Sequence, residues 1–188
     1  MKSTQVFTLN RRTLKAVAMA SAMVLGGVGM VGNAQAADGA GTANATVVRP
    51  ITITSSSPHL RFGSFSTSAA GQTVAIGTDG ERTLVGALGI GTGQNAFGAA
   101  SFTVGGEGAL TYAITLPTTT NITTGTASAP ETMEVSAFSS NPSGTGLLSG
   151  TAGTLGSQTL QVGATITSVA SQTSGIYSGS FTVTVAYN

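Results

Sequence analysis

Residues 181–188 alternate strictly. Phe181, Val183, Val185 and Tyr187 are large and apolar, while Thr182, Thr184, Ala186 and Asn188 between them are small or polar. Successive side chains of a strand point to opposite faces, so this run predicts a strand with one buried and one wet face. A strand this regular needs a partner along its edge or stays adhesive. The same period recurs upstream. Residues 46–54 place Val47, Ile51 and Ile53 in one phase. Runs at 60–65, 73–76, 82–88, 100–104 and 110–116 follow, the last with Leu110, Tyr112, Ile114 and Leu116 in step. Residues 132–138, 155–169 and 180–187 complete the set, with 155–169 either one long strand or two broken near Gly163. Thr78-Asp79-Gly80 between two apolar runs predicts a hairpin. Gly105-Gly106 predicts a second turn, and Pro117 and Asn141-Pro142 predict strand ends. About eight or nine short strands, with no convincing helix after Ala36, indicate an all-β fold, an antiparallel β-sandwich.

The first 36 residues have a different pattern. Lys2, Arg11, Arg12 and Lys15 precede an apolar stretch over residues 16–32, and Ala34-Gln35-Ala36 has the small-x-small form of a cleavage site. This predicts a secretory signal peptide over residues 1–36, cut between Ala36 and Ala37. Removal would leave 152 of the 188 residues and no lysine. Arg49, Arg61 and Arg82 would then stand against Asp38, Asp79, Glu81, Glu107, Glu131 and Glu134, a net charge of −3. A weakly acidic chain of this kind argues against nucleic acid and anionic membrane surfaces as partners. No membrane span is expected in the mature protein. There is no cysteine, so an exported domain must hold together through its core and its backbone hydrogen bonds. Threonine fills the polar phases of the strands, favouring extended backbone without adding much apolar surface.

Candidate chemistry is sparse. His59, beside Pro58, is the one histidine, and no Gly-x-Ser-x-Gly elbow accompanies it, so it reads as a solvated loop residue. Glu131 and Glu134 are three apart and would face opposite sides of a strand. Asp79-Gly80-Glu81 reads as a turn rather than a calcium loop. Gly89-x-Gly91-x-Gly93 lacks the following helix that a phosphate loop needs. Asn44-Ala45-Thr46 and Asn121-Ile122-Thr123 match the glycosylation pattern, which a threonine-rich chain produces by chance. With no tryptophan, and with Tyr112 and Tyr187 in apolar phase, no aromatic sugar platform is evident. No catalytic residue, cofactor or metal is therefore expected, and an enzyme is not.

The ends of the mature chain go together. A small, flexible lead at residues 37–42 is followed by an alternating strand containing Pro50, which suits an edge. Ala45-Thr46-Val47-Val48-x-Pro50-Ile51-Thr52-Ile53, Leu60-x-Phe62-Gly63-Ser64, Leu116-Pro117, Asn121-Ile122-Thr123-x-Gly125 and the 181–188 ending resemble the bacterial secreted family domain of unknown function 4402 across the whole mature chain. The Leu-x-Phe-Gly motif and the aromatic ending are also similar, more loosely, to chaperone–usher pilins and spore-coat-U-type subunits. The chain lacks the cysteine pair that many pilins carry. The pilin likeness implies an incomplete immunoglobulin-like sandwich whose groove is filled first by a chaperone strand and then by the N-terminal extension of the next subunit. On that reading the candidate donor strand carries Val47, Val48, Ile51 and Ile53. The candidate acceptor edge carries Phe181, Val183, Val185 and Tyr187.

Three segments are therefore expected: a signal peptide at 1–36, a lead and donor strand at 37–54, and a sandwich at 55–188. The expected function is a non-enzymatic structural subunit of a bacterial surface appendage or extracellular matrix. It would be exported by the Sec pathway to the periplasm and then the cell surface. Its partners would be further copies or related subunits, with a periplasmic chaperone and an outer-membrane usher as candidates. The alternative is a monomeric secreted sandwich that binds a ligand or coats the surface, with residues 46–54 pairing within their own chain against the last strand.

Overall fold

The structure is a computed structural model of the 188-residue chain and describes residues 36–56, 59–90, 96–125, 132–169 and 172–188. The predicted signal segment through Gln35, including Ala34, lies outside the described residues, as do Pro58, Gly91, Gly93 and Glu131. The chain divides into two units, residues 1–44 and residues 45–188. In the first, residues 36–44 are exposed and carry no strand.

The second unit is all-β among its described residues. Its strands are β1 (Thr52–Ser56), β2 (Phe65–Ser66), β3 (Thr73–Ile76), β4 (Arg82–Val85), β5 (Leu88–Gly89) and β6 (Ala100–Glu107). They continue as β7 (Thr111–Thr115), β8 (Thr119–Thr123), β9 (Thr132–Asn141), β10 (Thr145–Leu147), β11 (Leu155–Thr167) and β12 (Thr184–Tyr187). Every pairing is antiparallel. A seven-stranded sheet runs β1-β6-β11-β3-β4, with β9 on the far side of β11 and β8 beyond β9. A three-stranded sheet runs β10-β7-β12, and β2 pairs β5.

β11 is the spine of the large sheet. Its even-numbered residues Leu160, Val162, Ala164 and Ile166 are buried, so period-two alternation turns one face inward over the whole strand. Two apolar clusters lie on that face. The first joins Ala100, Val104, Leu160 and Val162 to Tyr112, Leu148 and Val183 from the small sheet and its flanks. This half is a sheet-on-sheet sandwich. The second joins Val74, Met133, Val135, Ala164 and Ile166, with Leu60, Phe62, Phe65 and Tyr177 packed against it. Those covering residues come from segments 59–66 and 172–181, which form almost no ladder.

One register change keeps both halves on the same face. Gly163 of β11 pairs Ser139, but Thr165 pairs Ser136, so β9 holds one extra residue there. Ala137 takes a φ of 50° at this bulge. Met133 and Val135 before the bulge and Phe138 after it consequently pack on the same side. The opposite face of the sheet is wet. Thr54, Thr103 and Thr159 are register partners across β1, β6 and β11, and all three are exposed.

Several expected elements differ. The first strand begins at Thr52 rather than residue 46. It pairs β6, from Thr52 opposite Gly105 to Ser56 opposite Ser101, and not the last strand. The pair Gly105-Gly106 is no turn: β6 continues through both to Glu107 and the turn falls at Gly108-Ala109. Residues 60–64 form no ladder beyond the Arg61–Gly98 bridge. The last strand begins at Thr184 rather than residue 180. The hairpin at 78–80 forms as expected, closed by the Gly77 amide on the Glu81 carbonyl at 2.9 Å, with Gly80 at φ 84°. β11 is one strand and not two.

Candidate functional site

The two ends of the described domain meet. β12 lies against β7 along one edge, from Thr184 opposite Thr115 to Tyr187 opposite Tyr112. Its other edge pairs no strand among the described residues. β1 likewise has β6 on one side and an open edge on the other. β1 and β12 also approach each other, so one side of the sandwich is bounded by two open edges. Neither strand contains a charge, a proline or a glycine, the usual protections of an exposed edge.

A polar clamp closes one end of this side. Glu107, at the end of β6, is only 6% exposed. Its Oε2 accepts from the Arg49 backbone amide at 3.3 Å and from Arg49 Nη1 at 3.0 Å. Its Oε1 accepts from the Gly153 amide. The Gly153 amide does most to hold the carboxyl below its ordinary value; burial pulls the other way, and the Arg49 contacts reinforce the lowering. The Glu107 amide donates to the Tyr187 hydroxyl at 2.6 Å, and that hydroxyl donates to the Arg49 carbonyl at 2.9 Å. Gly106 makes room for the arrangement, since a β-carbon there would run into the Tyr187 hydroxyl and the Leu148 side chain. The clamp thus fixes the chain at Arg49, beside the end of β12.

The expected donor residues divide at this clamp. Val47 and Val48 lie outside it, exposed (Val47 at 94%) and in no strand. Ile51 and Ile53 lie inside it and pack against the first apolar cluster of their own chain. The structure therefore does not bring the four together as one free strand. The acceptor residues do share a surface. Phe181, Val183, Val185 and Tyr187 all pack on the first cluster. The Phe181 ring sits 5.3 Å from that of Phe138 and edge-on to Phe102 at 6.1 Å. Phe181 and Val183 precede the ladder, so the alternation of their side chains outruns the hydrogen-bonded strand. Ala36 and Ala37, beside the predicted cleavage point, are exposed. His59 is exposed too. Sequence reasoning missed Glu107 and Arg49. The signal for them was a lone acid closing the alternating run at residues 100–106, which alternation analysis leaves out.

No group of three or more His, Cys, Asp or Glu is placed to hold a metal among the described residues, and no helix among them is long and apolar enough to cross a membrane. A family model described as Domain of unknown function (DUF4402) matches residues 51–187. No curated protein and no solved structure matches the chain.

Proposed function

The chain belongs to the DUF4402 family, and within it we propose a non-enzymatic structural subunit of a bacterial surface appendage or matrix, exported and assembled by strand addition. One observation carries the reading. The exposed lead ends at Arg49, which is held against Tyr187 of the open-edged β12. The free part of the lead is residues 37–48. Gly41, Ala43, Ala45 and Val47 alternate there with Thr42, Asn44, Thr46 and Val48. Extended, twelve residues reach about 40 Å, enough to span the edge of a neighbouring domain.

In this mechanism the lead of one copy lies along the outer edge of β12 in the next. Main-chain hydrogen bonds supply affinity, and the small alternate side chains supply the fit. Ile51 and Ile53 stay in their own domain, so the donor is the segment before the clamp. The lead and the edge are different segments of the chain, so a lead that reaches the next copy makes a head-to-tail contact and grows a filament. Further copies are the proposed partners, with a periplasmic chaperone and an outer-membrane usher to guard the edge beforehand.

The test compares residues 37–188 with residues 49–188 by electron microscopy and gel filtration. The longer protein should form fibres with a subunit-sized repeat. The shorter one, which keeps β1 and the clamp, should stay dispersed and bind a peptide of residues 37–48. A shorter protein that assembles equally well, or that ignores the peptide, would refute strand addition by the lead.

A further inference from the structure

The small sheet covers only part of the large one. Over the second apolar cluster, beneath segments 59–66 and 172–181, lies a cavity of about 860 Å³. Small-molecule sites commonly fall between about 300 and 1,000 Å³ and are mostly apolar. Met133, Val135 and Ile166 form the sheet side of this cavity, with Ile122 from β8 beside them. The segments above are fixed by the protein itself. The Arg82 guanidinium donates to the carbonyls of Phe62 and Ser64 at 3.2 and 3.1 Å and lies 4.5 Å over the Phe97 ring. The Tyr177 hydroxyl donates to the Thr173 carbonyl at 2.7 Å and accepts from Gln172 Nε2 at 2.6 Å. No buried side-chain polar atom among the described residues is left without a partner, so the interior asks for apolar contact.

The charge around the cavity has one sign. Arg61 and His59 both line it and both are exposed, which puts them at its rim. Among the described residues no aspartate or glutamate lines it. The backbone of Arg61 is pinned by reciprocal bonds with Gly98 at 2.9 and 2.8 Å. Its guanidinium makes no ion pair among the described residues, whereas Arg49 is paired with Glu107 and Arg82 is bound to carbonyls. An arginine without an ion pair among the described residues, on a fixed backbone at the rim of a largely apolar cavity, suits a carboxylate head on an apolar tail.

We propose that this cavity binds an amphipathic monoanion, an unbranched alkyl carboxylate. The chain lies against the half-buried Phe62, Phe65, Ile122 and Phe181, and the carboxylate meets Arg61, with His59 as a second donor. The lining reaches Phe181 but no residue of β12, and the site stands whether or not copies assemble.

Calorimetry and methyl NMR on the protein of residues 37–188 test it, with decanoate, decanol and decyltrimethylammonium as probes. Decanoate should bind saturably at one site and shift the methyl signals of Met133, Ile122 and Ile166. The cation of equal tail length should bind at least about tenfold more weakly. Arg61→Gln, at an exposed side chain, should weaken decanoate about tenfold and leave decanol unchanged. Met133→Trp, checked for a dispersed NMR spectrum, should exclude all three. Equal binding of decanoate and the cation, shifts confined to other surfaces, or no saturable uptake would each overturn the proposal. The Arg61→Gln comparison decides the matter even if the tryptophan variant fails to fold.

Discussion

Replacing Tyr187 by Phe removes one oxygen from the clamp and leaves the ring in the first apolar cluster. Two hydrogen bonds disappear: the one donated to the Arg49 carbonyl and the one accepted from the Glu107 amide. The second loss weighs more. The Glu107 residue is buried, and its amide would be left without a partner, at a cost of about 1–3 kcal/mol. The Arg49 carbonyl lies near solvent and finds water, so its loss adds at most about 1 kcal/mol. The expected destabilisation is about 2 kcal/mol, which in a domain of this size lowers the melting temperature by roughly 4–8 °C. Tyr112→Phe is the internal control. The Tyr112 hydroxyl donates to Gln158 Oε1 at 2.8 Å, but that oxygen also accepts from the Leu147 amide at 2.9 Å. No group is orphaned there, and the cost should stay near 1 kcal/mol. Urea denaturation followed by circular dichroism measures both variants. A Tyr187→Phe midpoint equal to that of the parent, or a Tyr112→Phe effect that exceeds it, would refute this account of the clamp.

Glu107 gives the clamp a pH dependence. Its carboxyl is held below the ordinary 4.5, so its contribution is complete above that value and is lost as the pH falls through the lower folded value. Glu107→Gln should therefore be less stable than the parent at pH 7, with the gap narrowing in acid, as urea midpoints at pH 7 and pH 3 would record. Leu160 is fully buried between the two sheets, and Leu160→Ala should cost about 2–5 kcal/mol in the same denaturation assay.

Alternation carried most of the fold. It located β3, β4, β7 and β11 because their buried residues recur every second position and turn residues bound them. It failed where glycine had another purpose. Gly105-Gly106 resembles a turn in sequence, but Gly106 is there so that Tyr187 and Leu148 can approach. It also overreached in segments such as Leu60-x-Phe62, where the side chains alternate into the second cluster while the backbone pairs only through Arg61. β8 and β10 were missed because Thr-Thr-Asn and Thr-Gly-Leu have too little apolar contrast to register. The shared face of Phe181, Val183, Val185 and Tyr187 was legible because they recur at every second position. The division of residues 46–54 at Arg49 was not legible. It depends on an ion pair with a residue 58 positions away, and no local pattern reports such a distance.

The bond from Tyr187 to Arg49 joins residues 138 apart in sequence. Closing so long a loop costs entropy before any contact rewards it, so the near-neighbour hairpin of β3 and β4 forms at far less expense of chain freedom. The clamp is accordingly expected to form late on the way to the native state, which a low folding φ-value for Tyr187→Phe would record. It is also expected to open early on the way out, since a few polar contacts at the margin open more readily than the Leu160 core. The side of the molecule bounded by β1 and β12 is thus where hydrogen exchange should find the earliest opening, ahead of β11 around Leu160.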